Sequence, residues 1–169
     1  MNIYFSGIGG VGLGPLAEIA LDAGYGVQGS DISHSQTIER LQTRGVATNI
    51  GQDGEFLRAC HDHHRIDWLV YTSALPRDHP ELLAAQELGI KVTKRDELLA
   101  RILSEKNLKL IAISGTHGKT TTTAMVVWVL TRLGVPISYS VGASLNFGPS
   151  GLFNPSSKYF VYECDEFDR

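Results

Sequence analysis

The chain repeats one pattern along its length: a short run of β-favouring residues, a helical stretch that ends at a glycine, and another β-favouring run. The first repeat joins a strand at Ile3 to Ser6 to a helix that stops at Gly24, and a later helix stops at Gly89. Glycine just past a helix adopts the left-handed backbone of the cap without a steric cost. Strands that alternate with helices predict right-handed β–α–β crossovers, and therefore an α/β fold with a mostly parallel sheet.

Polar residues 104–107 interrupt this pattern once, and the strand and helix signals then begin again. A strand at Leu108 to Ser114 precedes a helix from about Lys119 to Leu133. A stretch rich in Gly, Ser, Asn and Pro at residues 142–157 predicts a long loop before the last strand, Tyr159 to Tyr162. We therefore place a domain boundary at residues 104–107. Because mixed sheets usually contain ~5–6 strands, a second sheet of about three strands predicts an incomplete second domain and a chain that is part of a longer protein.

Composition excludes several classes of protein. The 169 residues carry a net charge of −3, without the basic excess expected of a nucleic-acid-binding protein. No apolar run approaches the ~20 residues that span a bilayer, and the N-terminus lacks the basic segment of a signal peptide. Two distant cysteines, Cys60 and Cys164, predict a reducing compartment rather than a disulfide framework. We expect a cytoplasmic protein without a nucleic-acid or membrane partner.

The first motif is Gly-Ile-Gly-Gly-Val-Gly at residues 7–12, which follows the first strand and precedes the first helix. Glycines at this spacing let the backbone turn tightly and approach a pyrophosphate at the helix N-terminus. Asp31 ends the second strand, where a carboxylate can accept hydrogen bonds from ribose hydroxyls. The pattern predicts a Rossmann-like nucleotide site with NAD as the first candidate, and a βα turn without a ligand is the alternative.

The second motif is Ser-Gly-Thr-His-Gly-Lys-Thr-Thr at residues 114–121, again between a strand and a helix. Backbone N–H groups of such a loop surround phosphates, the lysine offsets phosphate charge, and the hydroxyl that follows it binds Mg²⁺. Ile113 stands where the usual phosphate loop has a glycine, so the motif is a shortened G-x-x-G-K-T form. It predicts a P-loop-type site for a nucleoside triphosphate.

The third motif is an acidic cluster after the last apolar strand, formed by Glu163, Asp165, Glu166 and Asp168. A carboxylate at the carboxyl end of a parallel strand, beside a phosphate loop, lies where Mg²⁺ needs oxygen ligands. The alternative is a solvated strand end, because most acidic residues lie on protein surfaces.

Three other features receive structural interpretations. The sequence Cys-His-Asp-His-His at residues 60–64 has metal-ligand chemistry, but no second Cys or His cluster at zinc spacing accompanies it, so we interpret it as a solvated loop. Cys164 is expected to be a small packing residue. Trp68 and Trp128 lie on apolar faces and are expected in the core.

The order of these motifs resembles that of the Mur ligases of peptidoglycan synthesis. Five segments carry the resemblance, which covers essentially the whole chain: residues 7–12, 29–31, 72–74, 115–122 and 163–168. It implies that residues 1–106 form a Rossmann-like, UDP-sugar-binding domain. Residues 107–169 would form the first part of the central P-loop-type α/β ATP-binding domain. Family members continue for several hundred residues, through a downstream histidine for a second Mg²⁺ and a C-terminal domain.

The resemblance also implies a role for each motif. The first glycine turn would bind UDP-N-acetylmuramate rather than NAD, through Gly9, Gly10, Val11, Gly12, Asp31 and Ser73. ATP would bind the loop of Gly115, Thr116, His117, Gly118, Lys119, Thr120 and Thr121. Mg²⁺ would be bound by Thr120 and Glu163, and Lys119 would be the catalytic residue that stabilises charge on the transferring phosphoryl group.

By this resemblance the complete enzyme is an ATP-dependent ligase that joins L-alanine to the carboxylate of UDP-N-acetylmuramate through an acyl phosphate. The isolated chain is expected to have little or no ligase activity. A related ligase that recycles murein tripeptide is the second choice. An NAD-dependent oxidoreductase would account for the first glycine motif but leaves the lysine loop unexplained. A non-catalytic nucleotide-sensing module is also compatible with the motifs.

Overall fold

The computed structural model describes residues 1–164 and leaves residues 165–169 without description. The predicted carboxylates Asp165, Glu166 and Asp168 therefore lie outside the described residues. Within residues 1–164, none of the helices is both long and apolar enough to cross a membrane.

The first ten elements alternate strictly between strand and helix and build one sheet. In chain order they are β1 Asn2–Ser6, α1 Gly14–Asp22, β2 Gly26–Asp31, α2 Gln36–Thr43, β3 Ala47–Ile50, α3 Glu55–His63, β4 Trp68–Tyr71, α4 Pro80–Glu87, β5 Lys91–Lys94 and α5 Arg95–Glu105. The strands pair in parallel in the order β3-β2-β1-β4-β5. This doubly wound arrangement confirms the predicted α/β fold, and its direction reverses between β1 and β4, where such sheets bind ligands.

The remaining elements build a second, four-stranded sheet. They are β6 Lys109–Ile113, α6 Lys119–Arg132, β7 Ile137–Ser140, β8 Gly151–Leu152 and β9 Tyr159–Glu163, in the sheet order β6-β9-β7-β8. β9 lies between β6 and β7 and is parallel to both, whereas β8 is antiparallel to β7. The carboxyl ends of β6, β7 and β9 therefore meet at one edge.

β1 shows why the first sheet is covered on both faces. Its side chains alternate between two apolar clusters: Ile3 and Phe5 pack with α1 and α5, and Tyr4 packs on the opposite face with residues of α3 and α4. All three side chains are fully buried. A continuous apolar strand between two helical layers is the usual core of a parallel sheet.

The two sheets share part of this core. Phe153 and Phe160 of the second sheet region belong to the same buried cluster as the side chains of α1. β8 lies directly on α1, because a Cβ added to Gly151 would stand 2.2 Å from the Pro15 carbonyl oxygen. The Phe153 N–H also donates to Asp22 Oδ2 at 3.2 Å. These contacts hold β8, at the edge of the second sheet, against α1.

Three sequence-based expectations were wrong. Residues 60–64 do not form a loop, because α3 runs from Glu55 to His63 and buries Leu57 against α4. The predicted loop at 142–157 contains the short strand β8, which its contact with α1 stabilises. Trp128 is 46% exposed rather than in the core, since it lies on the face of α6 that β7 and β9 do not cover; Trp68 is 2% exposed, as expected.

Candidate nucleotide-binding sites at the strand ends

The first glycine turn is fixed to the carboxyl end of β2. The Ser30 carbonyl oxygen accepts hydrogen bonds from the N–H groups of Gly7 and Ile8 at 2.9 and 3.0 Å, and the Gly7 carbonyl accepts from Gly10 N at 3.1 Å. Gly7 has a φ of +98°, a backbone region that favours glycine. These hydrogen bonds fix the shape of the turn, as a preorganised phosphate site requires.

Asp31 links the turn to the end of β2. Its Oδ2 accepts from the Gly9 N–H at 2.8 Å, and its Oδ1 accepts from the Ile32 N–H at 2.8 Å. A Cβ on Gly9 would stand 2.6 Å from Ser35 Oγ and 2.8 Å from Ile38 Cδ1, so a larger residue there would displace α2. The glycine at position 9 is therefore needed for packing as well as for the turn.

A cavity of about 400 Å³ opens between this turn and the ends of β2, β3 and β4. It is lined by Gly7, Gly10, Val11, Gly12, Leu13, Asp31, Ile32, Gln52, Thr72, Ala74 and Leu75. Four predicted UDP-sugar residues, Gly10, Val11, Gly12 and Asp31, thus surround one space. Gly9 does not line the cavity, but its N–H donates to the lining residue Asp31. Ser73 is exposed and does not line the cavity either, although its neighbours Thr72 and Ala74 do.

The second loop connects β6 to α6 and uses two glycines with positive φ. Gly115 has a φ of +152° and Gly118, the N-cap of α6, a φ of +74°. Lys119 begins the helix, and its Nζ donates to the Gly115 carbonyl at 2.7 Å, across the loop. An ammonium group carries three donors, so among the contacts of residues 1–164 this bond leaves two N–H groups for a ligand. Thr116, His117 and Thr121 are exposed around the same loop.

Glu163 lies beside this loop at the carboxyl end of β9. Its Oε1 accepts from the Thr120 hydroxyl at 2.6 Å, and its Oε2 accepts from the Gly142 N–H at 2.7 Å. The carboxylate therefore bridges the ends of α6, β9 and β7. A carboxylate and a hydroxyl oxygen in contact are ligands that suit Mg²⁺, so the residues present fit the predicted metal.

A second cavity, of about 230 Å³, lies between the first glycine turn and the carboxyl ends of β7 and β9. It is lined by Val11, Gly12, Arg95, Ser140, Val141, Gly142, Tyr162 and Glu163. The first glycine turn forms one side, and Glu163 forms the other. Arg95 brings a cation to the first side, where a guanidinium nitrogen lies 2.8 Å from the position that a Cβ on Gly12 would take. The second loop is connected to this space through Thr120, whose hydroxyl donates to Glu163.

Sequence reasoning missed two polar residues that line these cavities, Gln52 and Arg95, and the buried Glu81 that contacts Gln52. Gln52 and Arg95 each follow a strand of the parallel sheet closely, at the edge where ligands bind. That topological signal was available from the sequence. Glu81 is fully buried beneath the first cavity, in the first turn of α4, and no sequence pattern marks a buried glutamate there.

The histidine-rich segment has a structural contact of its own. His61 Nδ1 accepts a hydrogen bond from the Ile66 N–H at 3.2 Å, which connects the end of α3 to the turn before β4. No group of three or more His, Cys, Asp or Glu side chains that could bind a metal is found within residues 1–164.

Comparison with known families decides the classification. The family described as Mur ligase family, catalytic domain, matches residues 2–107, which are more than half of the chain. The chain belongs to the Mur ligase family. This confirms the resemblance of its motifs.

Curated members of the Mur ligase family align over nearly the whole chain. This chain is 39% identical over 169 residues to UDP-N-acetylmuramate--L-alanine ligase of Chlorobium phaeovibrioides. The alignment covers 99% of this chain and 34% of that protein. The protein of the same name from Streptomyces avermitilis is 40% identical over 166 residues, which are 98% of this chain and 34% of that one. The chain therefore spans about a third of the length of these relatives.

Solved Mur ligase structures share the fold. The UDP-N-acetylmuramate-alanine ligase of Thermotoga maritima matches with a TM-score of 0.84 at 28% identity, over 96% of this chain and 36% of that one. The UDP-N-acetylmuramate:L-alanyl-gamma-D-glutamyl-meso-diaminopimelate ligase of Neisseria meningitides matches with a TM-score of 0.83 at 30% identity, over 99% of this chain and 53% of that one. Both sheets are thus found in solved family members.

Proposed function

We propose that this chain is the UDP-sugar-binding and ATP-binding part of a cytoplasmic, ATP-dependent ligase that joins L-alanine to the carboxylate of UDP-N-acetylmuramate. The observation that carries the proposal is a cavity of about 230 Å³ lined by Val11 and Gly12 of the first glycine turn and by Glu163, whose carboxylate accepts from Thr120 beside the second loop. The two free cysteines, Cys60 and Cys164, are consistent with a reducing compartment.

We assign UDP-N-acetylmuramate to the first half, residues 1–106. The larger cavity is bounded by Gly10, Val11 and Gly12 at the N-terminal end of α1 and by Asp31 at the end of β2. Helix N-terminal N–H groups favour a pyrophosphate, and a carboxylate at this strand end suits ribose hydroxyls. Ser73 is retained as a proposed contact beside the cavity.

We assign ATP to the second half, residues 107–169, at Gly115, Thr116, His117, Gly118, Lys119, Thr120 and Thr121. The Lys119 ammonium, held by the Gly115 carbonyl, would neutralise charge on the transferring phosphoryl group. Thr120 and Glu163 would hold Mg²⁺, which supplies Lewis-acid stabilisation of phosphate charge when bound. The Gly142 N–H keeps the Glu163 carboxylate oriented toward the loop.

The chemistry follows from the poor reactivity of a carboxylate toward an amine. A carboxylate oxygen of the sugar acid attacks the γ-phosphorus of ATP, the bond to the ADP oxygen breaks, and an acyl phosphate forms. The L-alanine amine then attacks the carbonyl carbon, phosphate leaves with the electrons of the C–O bond, and the amine loses a proton. Lys119 lies in the second loop and Arg95 lines the cavity beside the first glycine turn, and positive charge at these places would stabilise phosphoryl transfer.

A ligase that accepts a peptide rather than L-alanine is the second candidate. The Neisseria ligase named for the tripeptide L-alanyl-gamma-D-glutamyl-meso-diaminopimelate matches this chain as well as the Thermotoga enzyme does, with TM-scores of 0.83 and 0.84. Turnover of the full-length protein with L-alanine and with that tripeptide separates the two. Faster turnover with the tripeptide would replace the acceptor in our proposal and leave both nucleotide sites unchanged.

Isothermal titration calorimetry on the purified chain tests the binding assignment. We expect UDP-N-acetylmuramate to bind, NADH not to bind, and ATP with Mg²⁺ to bind at a separate site with a stoichiometry of about one each. NADH binding without UDP-N-acetylmuramate binding would instead support the oxidoreductase. Phosphate release by the chain alone should be negligible, because the chain spans only about a third of its curated relatives.

A further inference from the structure

A fully buried carboxylate lies directly beneath the larger cavity, apart from the two glycine loops. Glu81 is 0% exposed. Its Oε1 accepts from the Tyr4 hydroxyl and the Ser30 hydroxyl at 2.6 Å each, and its Oε2 accepts from the Ser6 hydroxyl and from Gln52 Nε2 at 3.3 Å. Four donors thus converge on one side chain.

This arrangement explains how a carboxylate is buried beside hydroxyls and an amide. An ionised carboxylate is an acceptor with about four lone-pair positions, which matches the four donors around Glu81. Glu81 also lies in the first turn of α4, where the helix dipole favours negative charge. Burial and the adjacent carboxylate raise the pKa of Tyr4 well above its ordinary value, so the Tyr4 hydroxyl keeps the proton that it donates.

The network determines the direction of every hydrogen bond around Gln52. Because the hydroxyls of Ser6 and Ser30 give their protons to Glu81, their oxygens can only accept from a further neighbour. That neighbour is Gln52 Nε2, which lies 3.2 Å from both serine oxygens. Its two N–H groups are shared among these oxygens and Glu81 Oε2. The amide nitrogen of Gln52 must therefore point inward.

The inward nitrogen leaves the other end of the amide for the cavity. Gln52 lines the cavity of about 400 Å³ together with Asp31 and Gly10. Within residues 1–164 the hydrogen bonds of the Gln52 side chain are those made by its nitrogen, and its oxygen is not sealed from solvent. Gln52 Oε1 is thus a fixed acceptor with a direction that Glu81 determines.

We propose that Gln52 is a specificity-determining contact that accepts a hydrogen bond from an N–H or O–H donor of the bound nucleoside, and that Glu81 is the positioning residue that fixes its orientation. The proposal rests on the assignment of a uridine-linked ligand to this cavity. Two sources of the donor share this chemistry: the N3–H of the uracil ring and a ribose hydroxyl.

Calorimetry with UDP, 3-methyluridine diphosphate and 2′- and 3′-deoxyuridine diphosphates tests the contact on the purified chain. We expect wild type to bind UDP about tenfold more tightly than one of the analogues, because a lost hydrogen bond leaves a polar group unpaired. Discrimination against the methylated base would identify the N3–H as the donor, and discrimination against a deoxyribose would identify that hydroxyl. Equal affinity for all four ligands would overturn the proposal.

Two variants connect that discrimination to the network. Gln52→Met keeps a similar shape without the acceptor and should bind UDP about tenfold more weakly, with the UDP-to-analogue ratio reduced to about one. Glu81→Gln replaces one acceptor oxygen of the network with an N–H donor, so the network no longer requires the Gln52 nitrogen to point inward and no longer fixes an acceptor toward the cavity. It should also abolish the discrimination. Gln86→Met, on the exposed face of α4, is the matched control and should retain the wild-type ratio.

The ratio of UDP affinity to analogue affinity shows whether a residue positions the contact or only stabilises the fold. A variant that only loosens the fold weakens all four ligands equally, so a lowered affinity with an unchanged ratio in Gln52→Met would overturn the proposal even if Glu81→Gln fails to fold. ATP binding at the second loop checks that each variant is folded. Absence of UDP binding by wild type would overturn the proposed function and this inference together, whereas UDP binding with unchanged ratios would overturn the inference alone.

Discussion

The two glycine loops share a layout but differ in what surrounds them. Each follows a parallel strand, begins a helix and has a carboxylate beside it: Asp31 binds the N–H of Gly9, and Glu163 binds the hydroxyl of Thr120. The Asp31 contact holds a backbone N–H of the turn against the end of β2. The Glu163 contact joins two different elements around a hydroxyl that can exchange partners. The first loop therefore offers a fixed backbone shape, whereas the second loop offers charged and polar side chains.

The supporting sheets differ as well. The first loop follows β1, which is buried on both faces, whereas the second follows β6, which is largely exposed. Apolar side chains of β6, α6 and the residue after α6 are exposed within the described part of the chain, namely Leu110, Met125, Trp128, Val129 and Leu133. The first loop thus follows a strand buried on both faces, whereas the second half has a smaller core of its own and also packs Phe153 and Phe160 into the cluster that contains α1.

The largest expected effect tests whether the second loop works through charge. Lys119→Ala removes the ammonium group that the Gly115 carbonyl holds across the loop. We expect ATP affinity to fall about a hundredfold, since hydrogen bonds to charged groups are worth about 1.5–3 kcal/mol each, while UDP-N-acetylmuramate affinity stays within about twofold. Calorimetry with each ligand measures both.

The exposed Lys158 supplies the control for this experiment. Lys158→Ala removes the same charge from the same half and should leave both affinities unchanged. If Lys119→Ala bound ATP as tightly as wild type, or the full-length variant turned over normally, the catalytic assignment of Lys119 would be wrong.

The next prediction tests the dependence of the second half on α1. A Cβ at Gly151 would overlap the Pro15 carbonyl, so Gly151→Ala must push β8 away from α1. We expect the free energy of unfolding to fall by about 1–3 kcal/mol, the usual cost of overpacking. Urea unfolding followed by tryptophan fluorescence measures it, with Trp68 reporting the first half and Trp128 the second.

Gly24→Ala is the control, because Gly24 has a positive φ but no atom within 4 Å of an added Cβ. It should cost only the backbone strain of a left-handed residue, about 1 kcal/mol. Equal destabilisation by the two variants would mean that the contact between β8 and α1 contributes little to holding the halves together.

A smaller effect is expected at the first glycine turn, whose backbone Asp31 holds. Asp31→Asn keeps one acceptor oxygen but replaces the other with an amide nitrogen, so it cannot accept from both Gly9 and Ile32 as the carboxylate does. We expect UDP-N-acetylmuramate to bind about tenfold more weakly and ATP binding to be unchanged. The exposed Asp62→Asn on α3 is the charge-matched control. A parallel loss of ATP affinity would show that the two sites are not independent.

Much of this difference between the loops was predictable from local sequence. The strand–turn–helix order, both glycine loops and the neighbouring carboxylates follow from spacing and from the fixed geometry of parallel sheets. Tertiary packing decided the rest. β8 forms because it packs on α1, and Trp128 is exposed because the sheet covers only one side of α6. Glu81 is buried by contacts with Tyr4, 77 residues away, which no local pattern encodes.

The smallest expected effect concerns a buried tyrosine of the second half. Burial and the nearby Glu18 raise the pKa of Tyr139 to about 12. In the unfolded chain the phenol ionises near 10, so the folded state binds the extra proton between these values and the free energy of unfolding falls as the pH rises from about 10 to about 12. Tyr139→Phe should reduce that fall, by on the order of 1 kcal/mol at pH 11, in urea unfolding measured at pH 8 and 11. Tyr159→Phe, at a position 38% exposed, is the control and should keep the wild-type difference in unfolding free energy between pH 8 and pH 11. An unchanged alkaline slope in Tyr139→Phe would mean that the core of the second half opens to solvent before the phenol ionises.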